Sequence, residues 1–170
     1  AAAAAALEEV CAAGSLDDRR AWDLWLAILL ADLNRAPGDL LRQIPDDAKG
    51  HAGDLRWLLE RLDSHKVVRI DCGGKGFKSP SGVVWAADRF FTGGNEGGCL
   101  SIEIDGTEED ALYQTERWFP GTGSLAAYRL PVPPGRYRVT LHFAETWFCA
   151  PGMRRFDVLI ERDAALQHHE

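Results

Sequence analysis

The sequence predicts an antiparallel β-sandwich preceded by a small helical module. Three observations carry that expectation. Apolar spacing is helical up to about Leu62, and it switches to a period of two from Lys66 onward. The alternating runs are short, and Gly- and Pro-rich turns rather than helices separate them. The expected division is therefore 1–65, helical, and 66–170, mostly β.

The chain opens on six alanines, with no basic stretch ahead of an apolar run, so no signal peptide is visible. Ser15 with Asp18 three residues later reads as a capping-box-like helix start. Trp22, Trp25, Leu26, Leu29, Leu30 and Leu33 then follow i, i+3, i+4, i+7 spacing and form one broad apolar face. Pro37-Gly38 is expected to break that helix, a short turn covers Asp39–Ile44, and Pro45 ends it. A second amphipathic run spans Asp54–Leu62. So short a bundle cannot bury both stripes alone, which calls for a partner surface on the second half or on a segment outside this sequence. A Trp/Leu stripe at this spacing reads as core before it reads as a cofactor pocket.

In the second half, Val67–Ile70 is an expected strand, closed by the turn Cys72–Gly76. Leu100–Ile104 alternates and ends at Asp105-Gly106. Tyr128–Val132 runs into Pro133-Pro134-Gly135, a strong turn. Tyr137–Phe143 alternates cleanly, and Arg155–Glu161 repeats the pattern. The tail from Asp163 to Glu170 is polar and alanine-rich, and no internal repeat is present.

Composition narrows the function. A net charge of −7, with no basic run, argues against nonspecific binding to nucleic acid or anionic lipid. The longest apolar stretch, Trp22–Leu33, carries two aspartates and is too short to insert across a bilayer. Four cysteines, Cys11, Cys72, Cys99 and Cys149, lie far apart without a CxxC pair, so zinc spacing is absent. Buried free thiols are expected ahead of a disulfide, and no metal or cofactor is implied.

Chemistry of the hydrolytic kind finds little support. In LHFAETWF, residues 141–148, strand alternation sends His142 and Glu145 to opposite faces. The HExxH pattern of a zinc peptidase is missing. Gly73–Gly76 and Gly93–Gly98 lack the spacing and following helix of a phosphate loop and read as loops. Asp88-Arg89 and Glu116-Arg117 read as loop anchors through paired hydrogen bonds. No nucleophile elbow and no Cys/His pair stands out.

The aromatics are the better clue. Trp85, Phe90, Phe91, Tyr113, Trp118, Trp147 and Phe148 fall near strand ends and in turn-rich loops. Flat rings there suit the apolar face of a sugar, while Asp88, Asn95, Gln114 and Arg117 offer partners for its hydroxyls.

Five stretches, in order, resemble the malectin family of carbohydrate-binding domains. They are Val68-Arg69-Ile70-Asp71-Cys72-Gly73-Gly74, Trp85-Ala86-Ala87-Asp88-Arg89-Phe90-Phe91-Thr92-Gly93-Gly94, and Ala111-Leu112-Tyr113-Gln114-Thr115-Glu116-Arg117-Trp118, then Tyr137–Phe148 and Arg155–Glu161. The resemblance implies a jelly-roll β-sandwich without catalytic activity, whose loop aromatics grip glucose-containing oligosaccharides. It implies Tyr113, Trp147 and Phe148 as sugar-contacting rings, with Phe90, Trp118 and Asp88 beside them. Trp147 stands where the family often has Tyr, keeping the stacking face without the hydroxyl. It also implies an extracytoplasmic or secretory-pathway setting. The family pattern runs on past the FDV strand to a late acidic residue, so the domain is expected to be truncated here, leaving a sheet edge to be covered.

Two rival readings stand beside this one. The first is a protein-interaction module that docks a partner through the helical half, Trp22 and Trp25 included. The second is a glycoside hydrolase, which needs two carboxylates across one cleft.

Overall fold

Proline heads the first helix among the described residues. Helix α1 spans Pro37–Leu41, against the turn expected from Asp39. A first-turn residue needs no N–H for the helix ladder, and the fixed φ of proline already suits it. The structure, a computed structural model, describes residues 37–42, 44, 46–47, 49–120, 127–133, 135–161 and 163–169. The helix expected from Ser15, with Trp22, Trp25 and Cys11, lies outside the described residues.

Helix α2, Gly50–Ser64, extends the expected run at both ends. Ala52, Leu55, Leu58 and Leu59 recur at helical spacing and are buried with Ile44, which follows α1. Full burial of a leucine side chain stabilises by about 1.5–3 kcal/mol. The link between the helices is held by Arg56. Its Nη1 donates to the Ile44 carbonyl at 2.7 Å, its Nη2 lies 2.5 Å from Asp46, and its Nε pairs with Glu60 at 3.1 Å. The N–H groups of His65 and Lys66 both donate to the Arg61 carbonyl and close the helix.

The second half is rich in strands, arranged among the described residues as four antiparallel pairs with no closed barrel. Strand β1 (Phe77–Lys78) pairs with β2 (Val84–Trp85). Strand β3 (Phe91–Thr92) pairs with β6 (Ala127–Tyr128). Strand β4 (Asn95–Gly98) pairs with β5 (Thr115–Trp118), and a short helix α3 (Asp110–Tyr113) leads into β5. Strand β7 (Phe156–Ile160) pairs with β8 (Asp163–His169).

Several expected strands are corrected. Ile70 makes only a single parallel bridge to Ala86. Leu100–Ile104 forms no strand because side chains take its backbone groups: Gln114 Nε2 donates to the Ile102 carbonyl at 2.6 Å, and Ile104 N–H donates to Asp110 Oδ1 at 3.2 Å. Pro131 supplies no N–H, and only Tyr128 of its run joins a ladder. Tyr137–Phe143 belongs to no strand, and Val139 and Leu141 are exposed. Alternation selects a face but supplies no partner. Conversely, the glycine-rich Asn95–Gly98 and the polar tail from Asp163 do pair, since ladder bonds need only backbone.

Cys72, Cys99 and Cys149 are free thiols. Cys72 and Cys149 are exposed rather than buried, which corrects that expectation.

Candidate functional site

The two glycines of Cys72-Gly73-Gly74 are forced by what lies against them. Gly73 has φ +80°, and a Cβ there would sit 1.9 Å from the Glu116 carbonyl oxygen of β5. A Cβ on Gly74 would sit 2.0 Å from Asp71 Oδ2. Only glycine permits both approaches.

Around this turn runs a buried polar network. Asp88 Oδ2 accepts from Gly73 N–H at 2.7 Å and from Arg117 Nε at 2.5 Å, and Asp88 Oδ1 accepts from the Tyr128 hydroxyl at 2.9 Å. The side chains of Arg117 and Asp88 are only 4% and 3% exposed. The guanidinium also donates to the Gly94 carbonyl at 3.2 Å and lies 3.4 Å from the centre of the Phe91 ring. Burial pulls the Arg117 pKa down, and Asp88 more than reverses this, so the cation stays above its ordinary value. Burial, with Cys72 and Asp88 nearby, drives the Tyr128 hydroxyl well above the phenol range and keeps it a donor. A second carboxylate, Asp71, is buried; it accepts from the Thr115 hydroxyl at 2.8 Å and Gly76 N–H at 3.2 Å. Burial raises its pKa, partly offset by those two bonds.

Asp88 and Arg117 come from two sequence stretches that each looked like a self-contained anchor. The fold pairs them across the chain instead. With three acceptor positions of Asp88 taken by protein donors, little of this carboxylate faces outward.

The aromatic residues occupy two neighbourhoods. At the end of α3, the Tyr113 hydroxyl lies 2.9 Å from His142 Nδ1, with ring centroids 6.0 Å apart. His142 in turn packs edge-on against Trp85 at 5.2 Å. The second neighbourhood is the loop after Ala144. Glu145 Oε1 accepts from the N–H groups of Trp147 at 2.8 Å and Phe148 at 2.9 Å, while Oε2 accepts from Arg154 Nε at 2.6 Å. Arg154 also lies 5.2 Å from the Phe148 ring centre. Trp147 is 78% exposed. The two neighbourhoods are connected along the chain, since His142 stands three residues before Glu145.

Of the other residues expected at a site, Phe90 stands at φ +65° and packs on Trp57 of α2 at 6.4 Å. Trp118 ends β5 opposite Asn95, partly exposed. Among the described residues, no ring contact joins Tyr113 to Trp147 or Phe148. Sequence reasoning missed His142 as the neighbour of Tyr113, and Trp85 as the neighbour of His142. It also missed Glu145 and Arg154 as the pair that shapes the aromatic loop. An acid within three residues of two large aromatics was the available signal for the latter, since a carboxylate can take up the N–H groups of a tight turn.

The Arg154 hydrogen bond, with the two loop N–H groups, holds Glu145 down to about 2 from its usual 4.5. A depressed carboxylate stabilises the loop fully above pH 4.5 and loses that contribution as pH falls towards 2. Both partners are about a third exposed, so solvent weakens the pair. The expected result, followed by the NMR shift of the Glu145 side-chain carboxyl, is that it remains ionised at about pH 3.5. Titration near the ordinary glutamate value would mean that the loop contact does not form in solution.

Among the described residues, no group of three or more His, Cys, Asp or Glu side chains is placed to hold a metal ion. No helix there is long and apolar enough to cross a membrane. A model of the malectin domain matches residues 66–169, more than half of the chain. The chain belongs to the malectin-domain family. That family is one of non-catalytic carbohydrate-binding β-sandwich domains. No curated protein and no solved structure matches the chain.

Proposed function

We propose that this malectin domain recognises glucose-containing oligosaccharides without turning them over, through Tyr113, Trp147 and Phe148. The observation that carries the reading is Trp147, a large flat ring held out to solvent by a loop whose backbone is pinned by Glu145 and Arg154. A pinned loop loses little entropy on binding, so stacking of a pyranose face on that ring is retained as affinity. The Tyr113 hydroxyl, fixed against His142, supplies polar selection among sugar hydroxyls. In this proposal Asp88 acts one step back. It clamps Arg117, Tyr128 and the Gly73 turn, and Phe90 and Trp118 support the loops around it.

Residues 1–65 are read as a distinct helical module docked on the domain. The supporting contacts are Arg89 with Asp54 at 3.4 Å, Arg89 over Trp57 at 4.2 Å, and Phe90 against the same ring.

Trp147→Ala is expected to weaken binding of a glucose disaccharide by about 1–3 kcal/mol in titration calorimetry. Unchanged affinity removes Trp147 from the site. A protein-interaction role is the second reading, favoured by the exposed apolar side chains of Tyr137, Val139, Leu141 and Phe143. Silence on a glycan array, together with a captured partner that depends on those four residues or on Trp22 and Trp25, selects it.

A further inference from the structure

A cleft of about 250 Å³ lies between the C-terminal half of α2 and the β1–β2 hairpin, away from the aromatic loops. Its walls include Trp57, Arg61, His65, Arg69, Val83 and Val84, and no carboxylate lines it. Trp57, Arg61 and His65 recur every four residues and form one stripe at the end of α2. The adjoining face of that helix carries Leu55, Leu58 and Leu59 into the core.

The charge arrangement is unusual for a chain of net charge −7. Among the described residues, neither Arg61 nor Arg69 has a salt-bridge partner. Of the acids of α2, Asp54 pairs with Arg89 at 3.4 Å and Glu60 with Arg56 at 3.1 Å, while the Asp63 carboxylate lies beside Gly38 of α1 and does not line the cleft. Of the last-turn carbonyls, that of Arg61 accepts from the His65 and Lys66 N–H groups; the partial negative charge of this helix end remains, and the two guanidinium charges must outweigh it. Arg61, Arg69 and His65 thus border one hollow, with a tryptophan and three valines as apolar wall. Guanidinium groups match the planar geometry of carboxylate and the oxygens of phosphate, bonding either one bidentately. The volume falls just under the usual range of small-ligand pockets.

We propose that this cleft is a second binding site, specific for the oxyanion of a small molecule, carboxylate or phosphate, clamped between Arg61 and Arg69. It is independent of the glycan-binding reading of Trp147. Calorimetry on the full chain at low ionic strength tests it, with acetate, inorganic phosphate, glucuronate and glucose 6-phosphate as probes and glucose as the neutral control.

Saturable binding of at least one anion is expected, more than tenfold tighter than glucose and reduced more than tenfold in Arg61→Gln and in Arg69→Gln. Response to the phosphate-bearing probes alone assigns phosphate, and response to the carboxylate-bearing probes alone assigns carboxylate. Arg138→Gln removes the same charge outside the cleft and is expected to leave binding unchanged. Neither cleft arginine makes a side-chain bond among the described residues, so both variants are expected to fold, as circular dichroism will confirm; either one reads the site if the other does not fold. The proposal is overturned if no anion binds saturably, if both cleft variants bind as the parent does, or if Arg138→Gln loses as much.

Discussion

Asp88→Ala is expected to lower stability by about 3–5 kcal/mol in denaturant unfolding, the cost of leaving a buried cation without its partner. The substitution strips acceptors from Arg117 Nε, the Tyr128 hydroxyl and Gly73 N–H at once. Arg117 has little else to turn to. Its Nη2 makes no hydrogen bond among the described residues and lies 3.6 Å from the exposed Glu96. A buried charge with no counter-ion costs far more than the lost hydrogen bonds. The informative comparison is the double variant Asp88→Leu with Arg117→Met, which removes donor and acceptor together. It is expected to lose clearly less than Asp88→Ala alone, because no charge is stranded. If Asp88→Ala costs less than about 1 kcal/mol, the pair is solvated and the network does not hold the loops.

Leu58→Ala is expected to cost about 2–5 kcal/mol, the range for deleting a leucine from a packed core. Leu58 is 0% exposed and sits among Leu55, Leu59 and Ile44, where the surrounding backbone is helical and cannot collapse far into the gap. The midpoint of unfolding falls without change of slope if the helices and the family domain unfold together. Contacts of Arg89 and Phe90 with Asp54 and Trp57 predict that single transition. Two separated transitions, with the tryptophan signal of the second unaffected by Leu58→Ala, would show the helical segment to be an autonomous unit.

How far each element was legible depends on which force sets it. The helix spanning Asp54–Leu62 was readable because burial of one stripe is a local property of spacing, and the tertiary fold only lengthened it. The aromatic residues of the candidate site were readable as a set of types near turns. Their grouping was not: Tyr113 rests on His142, 29 positions away along the chain, and His142 in turn on Trp85. Asp88 read as a sugar ligand and as an anchor to its neighbour; the fold spends its acceptors on Arg117, Tyr128 and Gly73. Leu100–Ile104 alternated as a strand does, yet Asp110 takes its Ile104 N–H and Gln114 its Ile102 carbonyl, two groups that a ladder would need.

What the sequence determined by itself was the family, the net negative charge and the chemical kind of each candidate residue. These follow from order and composition alone. Only the tertiary structure decided which strands found partners, which carboxylates were consumed by Arg117 and Arg154, and which arginines of α2 and its exit were left facing a hollow. Pairing and burial are properties of two surfaces meeting, and a single chain of letters specifies each surface without specifying which other it meets.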